Sequence, residues 1–208
     1  MRTPLSTSEV SHAGQVLQWL RSYVSEPHRE LGRSGPVCPF VPLSLKTGAL
    51  TFVVHEEIDG SDPQAMSDLL RAYMADFAAT APESSTELRR RSLMIVVPNV
   101  PDERLHVLDL VHGEIKDEMV RNSLMLGQFH LRCPDTAVRN PEFRVSIAPL
   151  PCFAIRHMAP HDILFLHDEK SWFVEYRRKF GNEYLLGRIK DPLMLDLYHS
   201  AQNRLEEE

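Results

Sequence analysis

Four short apolar runs constrain this chain more than any other feature. LTFVVH at 50–55, SLMIVV at 92–97, LMLGQF at 124–129 and CFAIRH at 152–157 are strand-length and dominated by aliphatic, β-branched and aromatic residues. The segments between them carry helical signals instead. Val16, Leu17, Leu20 and Tyr23 recur at helical spacing within 11–24, and Pro27 ends that helix. DGSDP at 59–63 announces a second helix, with Ser61 or Asp62 as cap and Pro63 in the first turn. Met66, Leu69, Leu70, Tyr73, Met74 and Phe77 form its inner face. Pro101 and Asp102 open a third, with Leu105, Leu108, Val111, Ile115 and Met119 facing inward. Asp168 caps a fourth that runs to Phe180 and is closed by Gly181, and Asp191 with Pro192 starts the last. The order α-β-α-β-α-β-β-α-α predicts an α/β sandwich. Its small mixed sheet of about four strands is covered by helices, and the last two strands pair antiparallel. Residues 1–208 read as a single domain, with a core over about 30–181 and a helix at either end.

Prolines at 36, 39 and 42 predict an extended, non-helical connection over 26–47, because each lacks an amide donor and restrains its neighbour. The stretch 82–86 reads as a loop, and Arg89, Arg90 and Arg91 as the solvated approach to a strand. A net charge of −6 argues against a surface built to wrap nucleic acid. No apolar run approaches the roughly 18 residues of a membrane span, and the first residues lack the apolar region of a secretory signal. Three cysteines without disulfide spacing point to reduced thiols in a cytoplasmic protein. GxGxxG, Walker, GxSxG and HExxH motifs are all missing, which lowers the weight of phosphate-binding and hydrolase classes.

Residues 127–162 concentrate three of the ten histidines, two of the three cysteines and five of the fifteen prolines. Imidazole and thiolate are the side chains best suited to a transition metal or haem iron. His130-x-x-Cys133 places a nitrogen and a sulfur donor close together, but zinc needs three or four ligands. Cys38, His157 or His161 would have to complete the set. His157 lies at a strand end, where an axial ligand or proton shuttle fits; Pro160 keeps it from sharing a helix face with His161. Arg139 and Arg144 flank Phe143 and suit a carboxylate, and Asp162 can orient an imidazole or accept a cation. Each residue also has a plainer reading: inert buried thiols, histidines bonded to backbone, an Asn-Pro turn with a surface ion pair, a turn cap.

The blocks GPVCPFVPLSL, MLGQFHLRCPDTAVRNPEFR and FAIRHMAPHDILFL resemble an uncharacterised bacterial domain family over roughly residues 30–181. That family is in turn distantly similar to the YqcI/YcgG family, which includes haem-dependent N-hydroxylases acting on amino-acid guanidino groups. Cys38-Pro39-Phe40 matches the first block of that pattern, and His157 with Pro160 and ILFLHDEKSWFVEYRRKFG matches the second. Where the pattern has His-Pro-x-Ser-Ser-Arg, this chain has His157-Met158-Ala159-Pro160-His161-Asp162. The resemblance implies a haem-binding oxidoreductase, an oxygenase acting on a small amine or amino acid. His157 would be the axial ligand, with His130 the alternative. Cys38, Cys133, Arg139 and Arg144 would contact the haem, and His157, His161 and Asp162 would carry catalysis. On this reading His130 and His157 flank one pocket, with the Arg139 and Arg144 turn across its mouth. The partner is a small molecule, and a homo-oligomer is compatible with the composition. A non-catalytic binding domain without haem and a non-haem metal enzyme are the other readings the residues allow.

Overall fold

The computed structural model describes residues 6–207. Helix α1, Thr7–Trp19, begins earlier than its apolar spacing suggests because a capping box defines its start. Glu9 N–H donates to Ser6 Oγ (3.2 Å) and Ser6 N–H to Glu9 Oε2 (2.6 Å). A π-helical turn, Leu20–Val24, follows directly. The connection expected to be extended contains a helix instead, α2, Val41–Thr47. Pro42 sits in its first turn, where a missing N–H leaves no hydrogen bond broken, and Gly48 (φ 66°) stops it.

Strand β1, Leu50–Val54, leads into α3, Pro63–Ala79, whose cap Asp62 accepts from Ala65 N–H at 3.1 Å. The segment expected as a loop and strand approach is largely helical: α4, Ser85–Arg90. Arg89 and Arg90 fall in its last turn, where cations complement the helix dipole. Strand β2, Ser92–Val96, is buried throughout, as expected of a strand covered on both faces. A 3₁₀ turn, Asp102–Arg104, precedes α5, His106–Arg121. Then come β3, Leu124–Phe129, a hairpin of β4, Thr136–Ala137, and β5, Asn140–Arg144, and β6, Cys152–His157. The chain closes with α6, Ile163–Leu166, α7, Lys170–Leu185, and α8, Pro192–Glu206.

The main sheet has the order β1-β2-β6-β3. Strands β1 and β2 are parallel, and β6 runs antiparallel to both β2 and β3. The mixed α/β class and the antiparallel pairing of the last two strands are therefore as the sequence indicates. One face of the sheet (Leu93, Ile95, Leu126, Ile155) packs on α3 and α5 through Met66, Leu70 and Ile115. The other face (Met94, Val96, Cys152) packs on Val16, Leu20 and Val24. A third cluster joins α7 and α8 to Val120 and Met125.

Helix α7 does not stop at Gly181, as its sequence suggests. A Cβ there would stand 3.3 Å from the Tyr198 hydroxyl, so the glycine lets α8 approach rather than ending the helix. Among the described residues no helix is long and apolar enough to cross a membrane.

Candidate metal centre

The antiparallel β3/β6 ladder decides which histidines can meet. Leu124 pairs with His157 and Phe129 with Cys152. His130, one residue beyond Phe129, therefore lies past the opposite end of the ladder from His157. At about 3.4 Å per residue the two imidazoles are roughly 20 Å apart. The single pocket flanked by His130 and His157 is not what this fold builds.

His130 continues the row of β3 side chains, Leu124, Leu126 and Gln128, that faces α5. It is 1 % exposed. Arg132 N–H donates to its Nδ1 at 3.3 Å, which leaves Nε2 to carry the proton and donate to Asp109 Oδ1 at 3.0 Å. Cys133 follows in a tight turn closed by its own N–H on the His130 carbonyl (3.1 Å), and its thiol donates to the Gln128 carbonyl at 3.6 Å. Burial pushes that thiol up to about 12. One ligand atom each from Asp109, His130 and Cys133 lies within 4.8 Å of the others. Zinc-class bonds of about 2.0–2.3 Å in tetrahedral geometry need donors about 3.4–3.8 Å apart. The widest separation thus requires about 1 Å of closure at most, whereas the His130–Asp109 edge, at 3.0 Å, is a hydrogen bond that has to open by a few tenths of an ångström.

More polar groups line the same seam. Asp109, His112 and Lys116 share one side of α5. His112 Nε2 meets the Leu126 carbonyl at 3.1 Å, and burial lowers its pKa. Lys116 Nζ lies 3.9 Å over the Trp172 ring, and burial lowers its pKa as well. Gln128 Nε2 donates to Asp135 Oδ1 at 3.3 Å, and burial raises the Asp135 pKa. Gln128 Oε1 is buried with no partner.

The remaining expected site residues scatter. His157 is packed against the Phe77 ring (5.0 Å between centroids), and its Nε2 is buried with no partner. A porphyrin face could reach that nitrogen only by displacing packed side chains, so a haem does not fit His157 as it stands. His130 is buried, so a porphyrin face reaches its Nε2 no better. Asp162, fully buried, is committed to a bidentate pair with Arg156 (2.6 and 2.7 Å) and to Ala159 N–H (2.7 Å). Arg156 in turn lies 4.2 Å over Phe40, whose ring edge faces the exposed His161 at 6.4 Å. The Cys38-Pro39-Phe40 block thus does meet the second block, through Phe40 and Arg156. Cys38 itself is half-buried and its N–H donates to the Val24 carbonyl at 2.9 Å. Arg139 reaches Asp191 (3.4 Å), whereas Arg144 lines a separate groove.

Asp109 is the candidate ligand that sequence reasoning misses. It sits on the polar side of an amphipathic helix, and its only signal is that α5 docks that side along the edge strand β3.

A family model matches residues 13–189 of the 208. The chain belongs to the domain of unknown function DUF6875. The match runs from the middle of α1 through α7 and so includes all three candidate ligands. No curated protein and no solved structure matches it.

Proposed function

We propose that this DUF6875 domain is a non-haem metal protein that holds a zinc-class divalent ion through Asp109 Oδ1, His130 Nε2 and Cys133 Sγ. The observation that carries the reading is the convergence of three chemically different donors, from α5, the end of β3 and the turn after it. One nitrogen, one sulfur and one oxygen in a compact group favour zinc over the hard cations. Three protein ligands leave a fourth position for water or substrate, the arrangement of catalytic rather than structural zinc. Asp109, whose side chain is 30 % exposed beside the buried His130, sets the side from which that position is reached. Binding releases the Cys133 proton and requires the neutral His130 ring to carry its own proton on Nδ1 instead of Nε2, at the cost of the Arg132 N–H contact, so affinity rises with pH through the thiol. The orphaned Gln128 Oε1 supports the reading, since a metal-bound water is a natural donor for it.

Haem oxygenase chemistry, suggested by the likeness to the YqcI/YcgG family, has less support in this geometry, because neither His130 nor His157 offers an accessible nitrogen. Cobalt(II) titration separates the two readings. Wild-type protein should develop an intense thiolate-to-cobalt charge-transfer band, which Cys133→Ser abolishes while the far-UV circular dichroism stays unchanged. Elemental analysis of protein purified without chelator should find zinc. A Soret band on adding hemin, or cobalt spectra identical in wild type and Cys133→Ser, would refute the assignment.

A further inference from the structure

A groove of about 690 Å³ runs between the end of α1 and the segment 143–149, on the sheet face away from α5. Trp19, Tyr23 and Phe143 supply its aromatic walls and Leu131, 55 % exposed, an apolar edge. Each ring is held before any ligand arrives. Trp19 stands edge-on to Phe129 (5.5 Å, 62°), the Tyr23 hydroxyl donates to the Val145 carbonyl (3.2 Å), and Phe143 stacks on His28 (4.4 Å, 8°). Pre-set rings lose little conformational entropy on binding.

The helix wall carries the π turn Leu20–Val24, closed by Ser25 N–H on the Leu20 carbonyl (2.9 Å). Such turns are rare and are frequently found at functional sites. The chain has 29 acidic and 23 basic residues, yet the one charged side chain lining this groove is the cation Arg144. Arg144 has no carboxylate partner among the described residues.

We infer that this groove is a binding site for a small organic acid with a flat, apolar body, an aromatic carboxylate. The rings take its faces, and Arg144 takes the carboxylate with a planar donor fork suited to that group. The volume falls in the range of small-molecule sites. Other occupants fit less well. A neutral apolar ligand leaves Arg144 without a role, and a cation meets a like charge at the groove's only ionic group. The inference does not rest on the metal reading, because the groove shares no side chain with the Asp109, His130 and Cys133 trio.

The two tryptophans of the chain make the test direct, since Trp172 lies on α7, outside the groove. In ¹H–¹⁵N spectra of the full chain, 2-naphthoate should shift the Trp19 indole signal saturably and leave that of Trp172 in place. Neutral 2-naphthamide should bind at least about tenfold more weakly, as should 2-naphthoate to Arg144→Gln, given the strength of charge-assisted hydrogen bonds. Arg144 is exposed, so the variant keeps the fold, and an unchanged remainder of the spectrum verifies this. Cys133→Ser should bind 2-naphthoate like wild type, so loss of the metal site and loss of the groove are read separately. No saturable Trp19 shift, equal binding of acid and amide, or equal binding by wild type and Arg144→Gln would each overturn the inference.

Discussion

Burial governs the chemistry of single residues in this protein more than sequence neighbours do. His157 is 9 % exposed, and its burial, reinforced by the Lys179 and Arg91 charges, pushes its pKa down to about 4. Arg91 precedes Ser92, the partner of Arg156, so it lies across from His157 on the next rung of the β2/β6 ladder. An imidazole in the unfolded chain titrates near 6.5, so between about 4 and 6.5 the unfolded state binds more protons and stability rises with pH. The contribution is complete above about 6.5 and is lost as the pH falls through 4. His157→Leu should therefore remove on the order of 2 kcal/mol of the acid destabilisation. Urea midpoints at pH 7 and pH 4 check this: a pH dependence in His157→Leu as steep as in wild type would contradict it. The same principle keeps the thiols of Cys133 and Cys152 protonated, both raised by burial, unless an ion displaces the proton. His130-x-x-Cys133 is visible as a pair in the sequence, but the third donor is 21 positions away from His130, and nothing local couples them.

At the scale of elements, side-chain commitments made between segments explain where expectation and structure part. Asp162, read from sequence as a site residue, ties β6 to the turn before α6 through Arg156 and Ala159 N–H. Asp162→Asn would leave Arg156 without its counter-charge in a largely buried position. A loss of about 3 kcal/mol is expected, because removing one partner strands the other. Chemical denaturation measures it, and a change within about 0.5 kcal/mol, typical of a surface site, would show that the pair is dispensable. Gly181 and Pro42 carry a related lesson. A glycine in a helical pattern looks like a stop until the approach of Tyr198 is seen, and a proline looks like a breaker until it falls in a first turn.

For the whole molecule, strand direction separates the two histidine sites. Strands β1, β2 and β3 point the same way, so His130 lies at their carboxyl end with Asp109 and Cys133, the candidate metal ligands, and antiparallel β6 delivers His157 to the other. Sites that distant should not couple. The stability losses of His130→Ala and His157→Ala should add within about 0.5 kcal/mol in the double variant, and cobalt binding should respond to the first substitution alone. A coupling energy above 1 kcal/mol, or loss of cobalt binding in His157→Ala, would argue for one connected site.

What the amino-acid order determined by itself is the local part of this protein. Apolar runs of strand length, helical periodicity and proline-bearing caps identified the four main strands, the principal helices and the α/β class, because those signals act over a few residues. Only the tertiary structure decided which chemistry-bearing residues meet. Inserting β6 between β2 and β3 sent His130 and His157 to opposite ends, docking α5 on the edge strand supplied Asp109, and folding α1 against the 143–149 segment made the groove. Those placements depend on strand order and on which face a helix buries, and both are set by long-range packing rather than by any local spacing.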